Sequence, residues 1–310
     1  MINFRYHIVS LMAVFLALAV GIAVGVSLSP SVSQGLNEQA AQDRRQVTEL
    51  RAELERVNAL DEYREAWAAR AGEQVALDAL SGVGVAVVSM PDAPAQVVRA
   101  IADAVAAAGG TVVRTVEVDA DVYDAAEADA VNEVVAPYRD ELGLDDAMTP
   151  ATRFGRALGR SVAAKAPQER DELAVGIGDA LQRAGLAELG GDSNRRAELV
   201  IVVSAGAGAR TPQPAPELLQ GHVQTDVALA FYAAGVVLAG PNSDNITGTD
   251  VLTVRADSDA GDLLSTVDVA DLPSGVTTTV LAGQEQLLGR QGHYGALTRA
   301  DAPLPTLPVR

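Results

Sequence analysis

The stretch Gly82-Val-Gly-Val-Ala-Val-Val-Ser-Met90 decides the fold. It is short, almost wholly apolar and rich in β-branched residues, the pattern of a strand buried on both faces of a sheet. Asp92 and Pro94 then open an Ala-rich helix that stops at Gly109-Gly110, where glycine accepts the left-handed backbone that ends a helix. Residues 111–118 (TVVRTVEV) read as a second strand. Strand, helix and strand at this spacing make a βαβ unit, the repeating piece of a parallel sheet.

Reading on toward the C-terminus, residues 125–142, 150–166 and 168–189 carry mostly helical patterns. Residues 198–204 (ELVIVVS) form another buried strand, 217–234 a helix, and 236–240 (VVLAG) a further strand. The β-branched run 277–281 (TTTVL) reads as one more edge or final strand. Strands alternating with helices predict an α/β fold with a Rossmann-like, mostly parallel, doubly wound sheet and a helical insertion near 125–190. This domain spans 81–295, and the Pro-rich end 296–310 is an extended tail.

Reading back toward the N-terminus, residues 31–80 form a charged, helical stalk after a flexible Ser-Pro-Ser stretch at 29–33. Val47, Leu50, Leu54 and Val57 fall at coiled-coil spacing, and Leu36 and Ala40 extend the stripe backward. Asp43 interrupts it, and beyond Val57 a shifted frame through Leu60, Tyr63 and Trp67 carries it on, as a stutter does. Arg44, Arg45, Glu49, Arg51, Glu53, Glu55 and Arg56 keep the other faces in water. The same pattern also suits a single amphipathic helix packed on its own domain. The coiled-coil reading is favoured by what precedes it.

From Ile8 to Leu28 the chain reads IVSLMAVFLALAVGIAVGVSL without a charge. As a helix this is about 30 Å, the hydrocarbon thickness of a bilayer. A cleaved signal peptide and a buried core helix are the competing readings. The run exceeds a usual signal core, however, and no A-x-A pattern follows it. Residues 1–30 are therefore read as an uncleaved anchor, with Arg5 and the terminal amine placing the N-terminus in the cytoplasm and the bulk of the chain outside it. Ala13, Ala17, Gly21 and Gly25 recur every fourth residue, and this small-residue face suits close pairing of two spans. Only Ser10 and Ser27 are polar within the span, too little to line an ion path.

Composition excludes several functions. With 23 Lys plus Arg against 41 Asp plus Glu, the formal charge is −18, which repels nucleic acid. No cysteine occurs, which removes disulfides, thiolate metal sites and cysteine nucleophiles. Gly82 and Gly84 resemble the start of a dinucleotide loop, and Ser204, Gly206 and Gly208 follow a strand, but neither completes a phosphate-binding motif. The acids Asp119, Asp121, Asp124, Glu127 and Asp129, and likewise Asp257, Asp259 and Asp262, read as solvated surface; neither set matches a calcium loop. His7, His222 and His293 are far apart in sequence, and no serine-hydrolase, zinc-protease or P-loop motif occurs. The expectation is a non-enzymatic chain with no catalytic, cofactor or metal residues. A Rossmann-like sheet nonetheless allows a ligand near Met90, Asp119, 204–210 and 241–245.

The opening Arg5-Tyr-His7-Ile-Val-Ser10-Leu-Met-Ala-Val-Phe15-Leu-Ala-Leu-Ala-Val20-Gly resembles the start of the bacterial envelope family of the copper transporter MctB, also called SteB. The stalk, the Val83 strand and the segment Leu287-Leu-Gly-Arg-Gln-Gly-His293-Tyr-Gly295 are similar too. The resemblance implies one of two roles. One is copper homeostasis or efflux; the other is cell separation and septal wall remodelling beside a SteA-type membrane protein. With no Cys, 4 Met and 3 scattered His, a dedicated copper site is not expected. The reading is a homodimeric scaffold in the bilayer, joined through stalk and anchor, that acts on copper through partners and is not itself a pore.

Overall fold

The computed structural model describes residues 4–206, 214–242 and 248–306, with the side chains of 4–5 and 26–38 left aside. The chain divides into two compact units, Met1–Arg64 and Glu65–Arg310.

The described residues of the first unit all belong to α1, Phe4–Val75, which is unbroken over 72 residues. Its apolar part, Tyr6–Gly25, has a mean hydropathy of 2.6 and no residue buried within the protein. The flexible stretch expected at 29–33 is instead helical. Pro30 costs a helix one hydrogen bond, and the long run of helical turns on both sides carries the helix across it. Further along, Arg64 pairs with Asp61 at 2.7 Å, and Thr48 Oγ1 donates back to Arg44 O at 2.8 Å. Such one-turn pairs support an exposed helix.

In the second unit, α1 ends at Val75 and a turn leads into β1, Gly84–Ser89. Then come α2 (Ala95–Ala107), β2 (Thr111–Val118), a 3-10 turn (Ala120–Tyr123), α3 (Ala128–Val135), α4 (Arg139–Leu142) and α5 (Pro150–Val162). These lead to β3 (Gln168–Glu169), α6 (Glu172–Arg183), β4 (Ala187–Gly190), β5 (Arg195–Arg196) and β6 (Leu199–Val203). The chain finishes with α7 (Pro216–Ala230), β7 (Gly235–Ala239), α8 (Asp250–Ala256), α9 (Ser258–Gly261), β8 (Ser265–Val267), α10 (Pro273–Leu287) and β9 (His293–Tyr294).

Seven strands form one sheet in the order β4-β2-β1-β6-β7-β8-β9. All neighbours run parallel except β4, which pairs antiparallel with β2 at the edge. Alternation along the strands feeds two cores. Ala86, Val88, Val200, Val202, Val236 and Leu238 point to a face covered by α3, α5, α6, α7 and α8. Val85, Val87, Leu199, Ile201, Val203 and Val237 point to the other face, under α2, α10 and the turn after α1. Both faces are covered, so the central strands β1, β6 and β7 are almost wholly apolar, as residues 82–90 indicated.

Three expectations change. Residues 277–281 are not a strand but the middle of α10. Thr277, Thr278 and Thr279 donate their hydroxyls to Pro273 O, Ser274 O and Gly275 O at 3.1, 2.8 and 2.9 Å. That back-bonding accommodates β-branched residues in a helix whose Val280 and Leu281 must cover the sheet. The helix expected over 168–189 stops at Arg183, because Gly185 turns the chain at φ 72° into the edge strand β4. The strands β8 and β9 were missed because they are too short to show a period. In the tail, Pro305 is buried and Ala302 bridges to Tyr294; residues 307–310 lie outside the described part.

Candidate functional site

From β1 the chain moves outward to β2; later it returns beside β1 as β6 and continues the other way. The order therefore reverses between β1 and β6, and open α/β sheets place their sites just beyond the strand ends at such a reversal. The residues there are Met90 after β1 and Ser204 after β6, joined by Met90 N donating to Val203 O at 2.9 Å.

Period-two alternation puts Met90, Ser204 and Gly240 on the α7 side of the sheet, with Val88, Val202 and Leu238. A Cβ on Gly240 would lie 2.9 Å from Val251 Cγ2 and 3.2 Å from Ser204 Oγ, so the ends of β6 and β7 and the start of α8 meet closely. Over them lies α7, whose His222 and Asp226 are one turn apart and so share a face. Both are fully buried, as is Ser204, and Asp250 is nearly so.

His222 Nδ1 lies 2.9 Å from Asp250 Oδ1. A carboxylate only accepts, so this nitrogen carries the proton and Nε2 faces away from Asp250. The Tyr123 ring meets the imidazole edge-on, 4.4 Å between centroids, and the Tyr123 hydroxyl donates to Thr225 Oγ1 at 3.2 Å. Four atoms of this cluster are buried without a hydrogen-bond partner: His222 Nε2, Ser204 Oγ and both carboxyl oxygens of Asp226. Burial, reinforced by the Asp250 charge, raises the Asp226 carboxyl well above the ordinary carboxylate range. Folding normally satisfies such groups, and leaving them unpaired costs stability.

The residues singled out in the sequence are distributed as follows. Gly82 is a turn residue at φ 76°, and Gly84 lies in β1, where its N–H donates to Glu198 Oε2 at 3.0 Å. A side chain at Gly84 would collide with Glu198, so that glycine admits a carboxylate and not a phosphate. Asp119 accepts from Asp121 N, Asp124 from Ala126 N, and Asp257 from Asp259 N and Ala260 N. These acids cap local turns. Ser204 and Gly206 are described, but 207–213 and 243–247 lie outside the described residues.

Ala13, Ala17, Gly21 and Gly25 are exposed along α1, with nothing within 4 Å of a Cβ at either glycine. Ala40 is exposed, and Val47, Leu50, Leu54 and Val57 are 46%, 61%, 59% and 38% exposed. Leu36 has no described side chain. The fold thus leaves an apolar stripe uncovered on a long helix. The buried cluster was missed at the sequence level because His222 and Asp250 are separated by a loop and a strand.

The family model described as "Copper transport outer membrane protein, MctB" matches residues 1–305. The chain belongs to the MctB family. Within the family, "Copper transporter MctB" of Mycobacterium tuberculosis (strain H37Rv) is 29% identical over 307 residues, covering 95% of this chain and 96% of that protein. The protein of the same name from Mycobacterium bovis has the same identity and coverage. That of Mycobacterium leprae is 28% identical over 236 residues, 70% of this chain and 72% of the relative.

The family-like segment ending at Gly295 has a structural task. Arg255, fully buried, donates to Asp268 Oδ2 at 2.6 Å, Thr266 Oγ1 at 2.8 Å and Tyr294 O at 2.8 Å. Asp268 also accepts from Ala296 N at 2.8 Å and Leu297 N at 3.1 Å. His293 Nδ1 lies 3.0 Å from Thr266 Oγ1, and the Tyr294 hydroxyl donates to Glu285. These bonds hold β9 to the sheet edge. Burial, helped by the Arg255 charge, lowers the His293 pKa.

Proposed function

We propose that this member of the MctB family is a membrane-anchored, non-enzymatic scaffold of the cell envelope. It stands as a homodimer and serves copper homeostasis through partners, not as a pore by itself. The observation that carries this reading is α1: an apolar span of bilayer length continuing as one helix into an uncovered stripe of Val47, Leu50, Leu54 and Val57. A long helix with an apolar stripe is stable when a second helix covers that stripe. The N-terminus lies in the cytoplasm and the α/β domain outside it.

Transport by one chain finds little support in the described residues. A single apolar helix encloses no water, and the sheet carries helices on both faces in place of a lumen. The scaffold would pass its effect to a membrane partner of the SteA type; a role in cell separation fits the same architecture.

Two measurements test this. The full chain in detergent micelles should have twice the chain mass, and Leu50→Asp with Leu54→Asp should return it to one chain. Liposomes holding only this protein should show no copper flux above empty vesicles. A monomeric parent, or robust copper-selective flux, removes the proposal.

A further inference from the structure

We infer that His222, Asp226 and Ser204 form a binding site for one divalent transition-metal ion inside the α/β domain, oriented by Asp250. The argument rests on α7 and the carboxyl ends of the central strands, independently of the scaffold reading.

Four polar atoms are buried with no partner, and all are lone-pair donors when His222 is neutral: His222 Nε2, two Asp226 oxygens and Ser204 Oγ. A cation satisfies all four at once, whereas an acceptor engages only the Ser204 hydroxyl and a protonated Asp226, leaving His222 Nε2 unpaired. The Asp250–His222 contact is the pattern by which a second carboxylate orients a metal-binding imidazole, fixing the proton on Nδ1 and presenting Nε2. His222 and Asp226 at a spacing of four on α7 supply nitrogen and oxygen from one helix face. That pair suits a borderline ion such as copper(II), zinc or nickel better than calcium or magnesium, which favour oxygen alone. Among the described residues no three His, Asp or Glu side chains form a complete metal-binding group. The proposed site has two such ligands and a hydroxyl, with Asp250 standing behind them.

The place agrees with the chemistry. The cluster sits beyond β6, next to the reversal of strand order, where the ends of β6 and β7 and the first turn of α8 converge. The alternative is an acid kept protonated in an apolar core, a lasting cost with no return.

Titration calorimetry of the full chain in detergent micelles, with copper(II), zinc, nickel, calcium and magnesium each added alone at neutral pH, tests the inference. One equivalent of a transition metal should bind, with calcium and magnesium at least tenfold weaker. Asp226→Asn, which keeps the shape of the side chain, and His222→Gln should each weaken binding at least tenfold. Asp119→Asn with Asp121→Asn, on exposed turns, should leave it unchanged. If His222→Gln does not fold, Asp226→Asn and Ser204→Ala decide. For copper(II), electron paramagnetic resonance should show one imidazole nitrogen that disappears in the His222 variant. Absence of stoichiometric binding, or equal binding by the parent and Asp226→Asn, overturns the site.

Discussion

At Gly295 the backbone has φ 132°, and a Cβ there would lie 2.1 Å from Asp268 Oδ1. Gly295→Ala should therefore lower stability by roughly 1–3 kcal/mol in urea titrations, through strain and overpacking against the Arg255–Asp268 pair. Asp171 caps α6 by accepting from Ala174 N at 2.8 Å, and the Arg160 guanidinium holds its carboxyl down at about 2 against an ordinary 3.8. A depressed carboxyl stabilises the fold above its unfolded value, and that contribution disappears as pH falls through about 2. Asp171→Ala should cost about 1 kcal/mol at pH 7, and the gap should close in melts run toward pH 2. Asp226 works in the opposite sense. Its carboxyl is raised by burial, so its contribution is present below the ordinary 3.8 and is lost as pH climbs toward the raised value. Metal-free Asp226→Asn should gain on the parent as pH rises across that window; a constant offset would contradict the assignment. None of these three roles was legible in the sequence. A cap, a buried acid and a close backbone approach look alike as letters, since each depends on what the chain brings beside it.

At the scale of elements, the strands buried on both faces were the clearest signals. Residues 111–118 form β2 over the expected length, β1 and β6 lie within the runs read for them, and β7 begins one residue before its run. Elements failed where period or propensity carried too little information. Three threonines in a row read as a strand, yet their hydroxyls found carbonyls one turn back and the segment became α10. The two residues of β9 depend on Arg255. Replacing Arg255 by Leu leaves Asp268 buried without its cation, which should cost roughly 3–5 kcal/mol. Hydrogen exchange should then show β9 opening before β1 and β6; uniform protection would contradict that order.

At the scale of the whole molecule, the two units present different problems. The first exposes an apolar surface with nothing in its own unit to cover it, so its behaviour depends on lipid and on other helices. The second closes its two cores and retains an internal polar cluster. Protease digestion of sealed vesicles should remove the α/β domain when the extracytoplasmic face is outward and spare it when that face is enclosed. Protection in the outward orientation would reverse the topology.

Much of this protein followed from residue order alone. A charge-free segment of bilayer length, β-branched runs and the glycines between them dictate an apolar helix and a parallel α/β sheet, because hydrophobic periodicity and backbone sterics act locally. The pairing of His222 with Asp250, the burial of Asp226 and Ser204 beside them and the tethering of β9 arose only when the sheet was wound. They join residues from separate elements, and the burial that makes an unpaired oxygen or nitrogen chemically significant is created by packing, not by sequence.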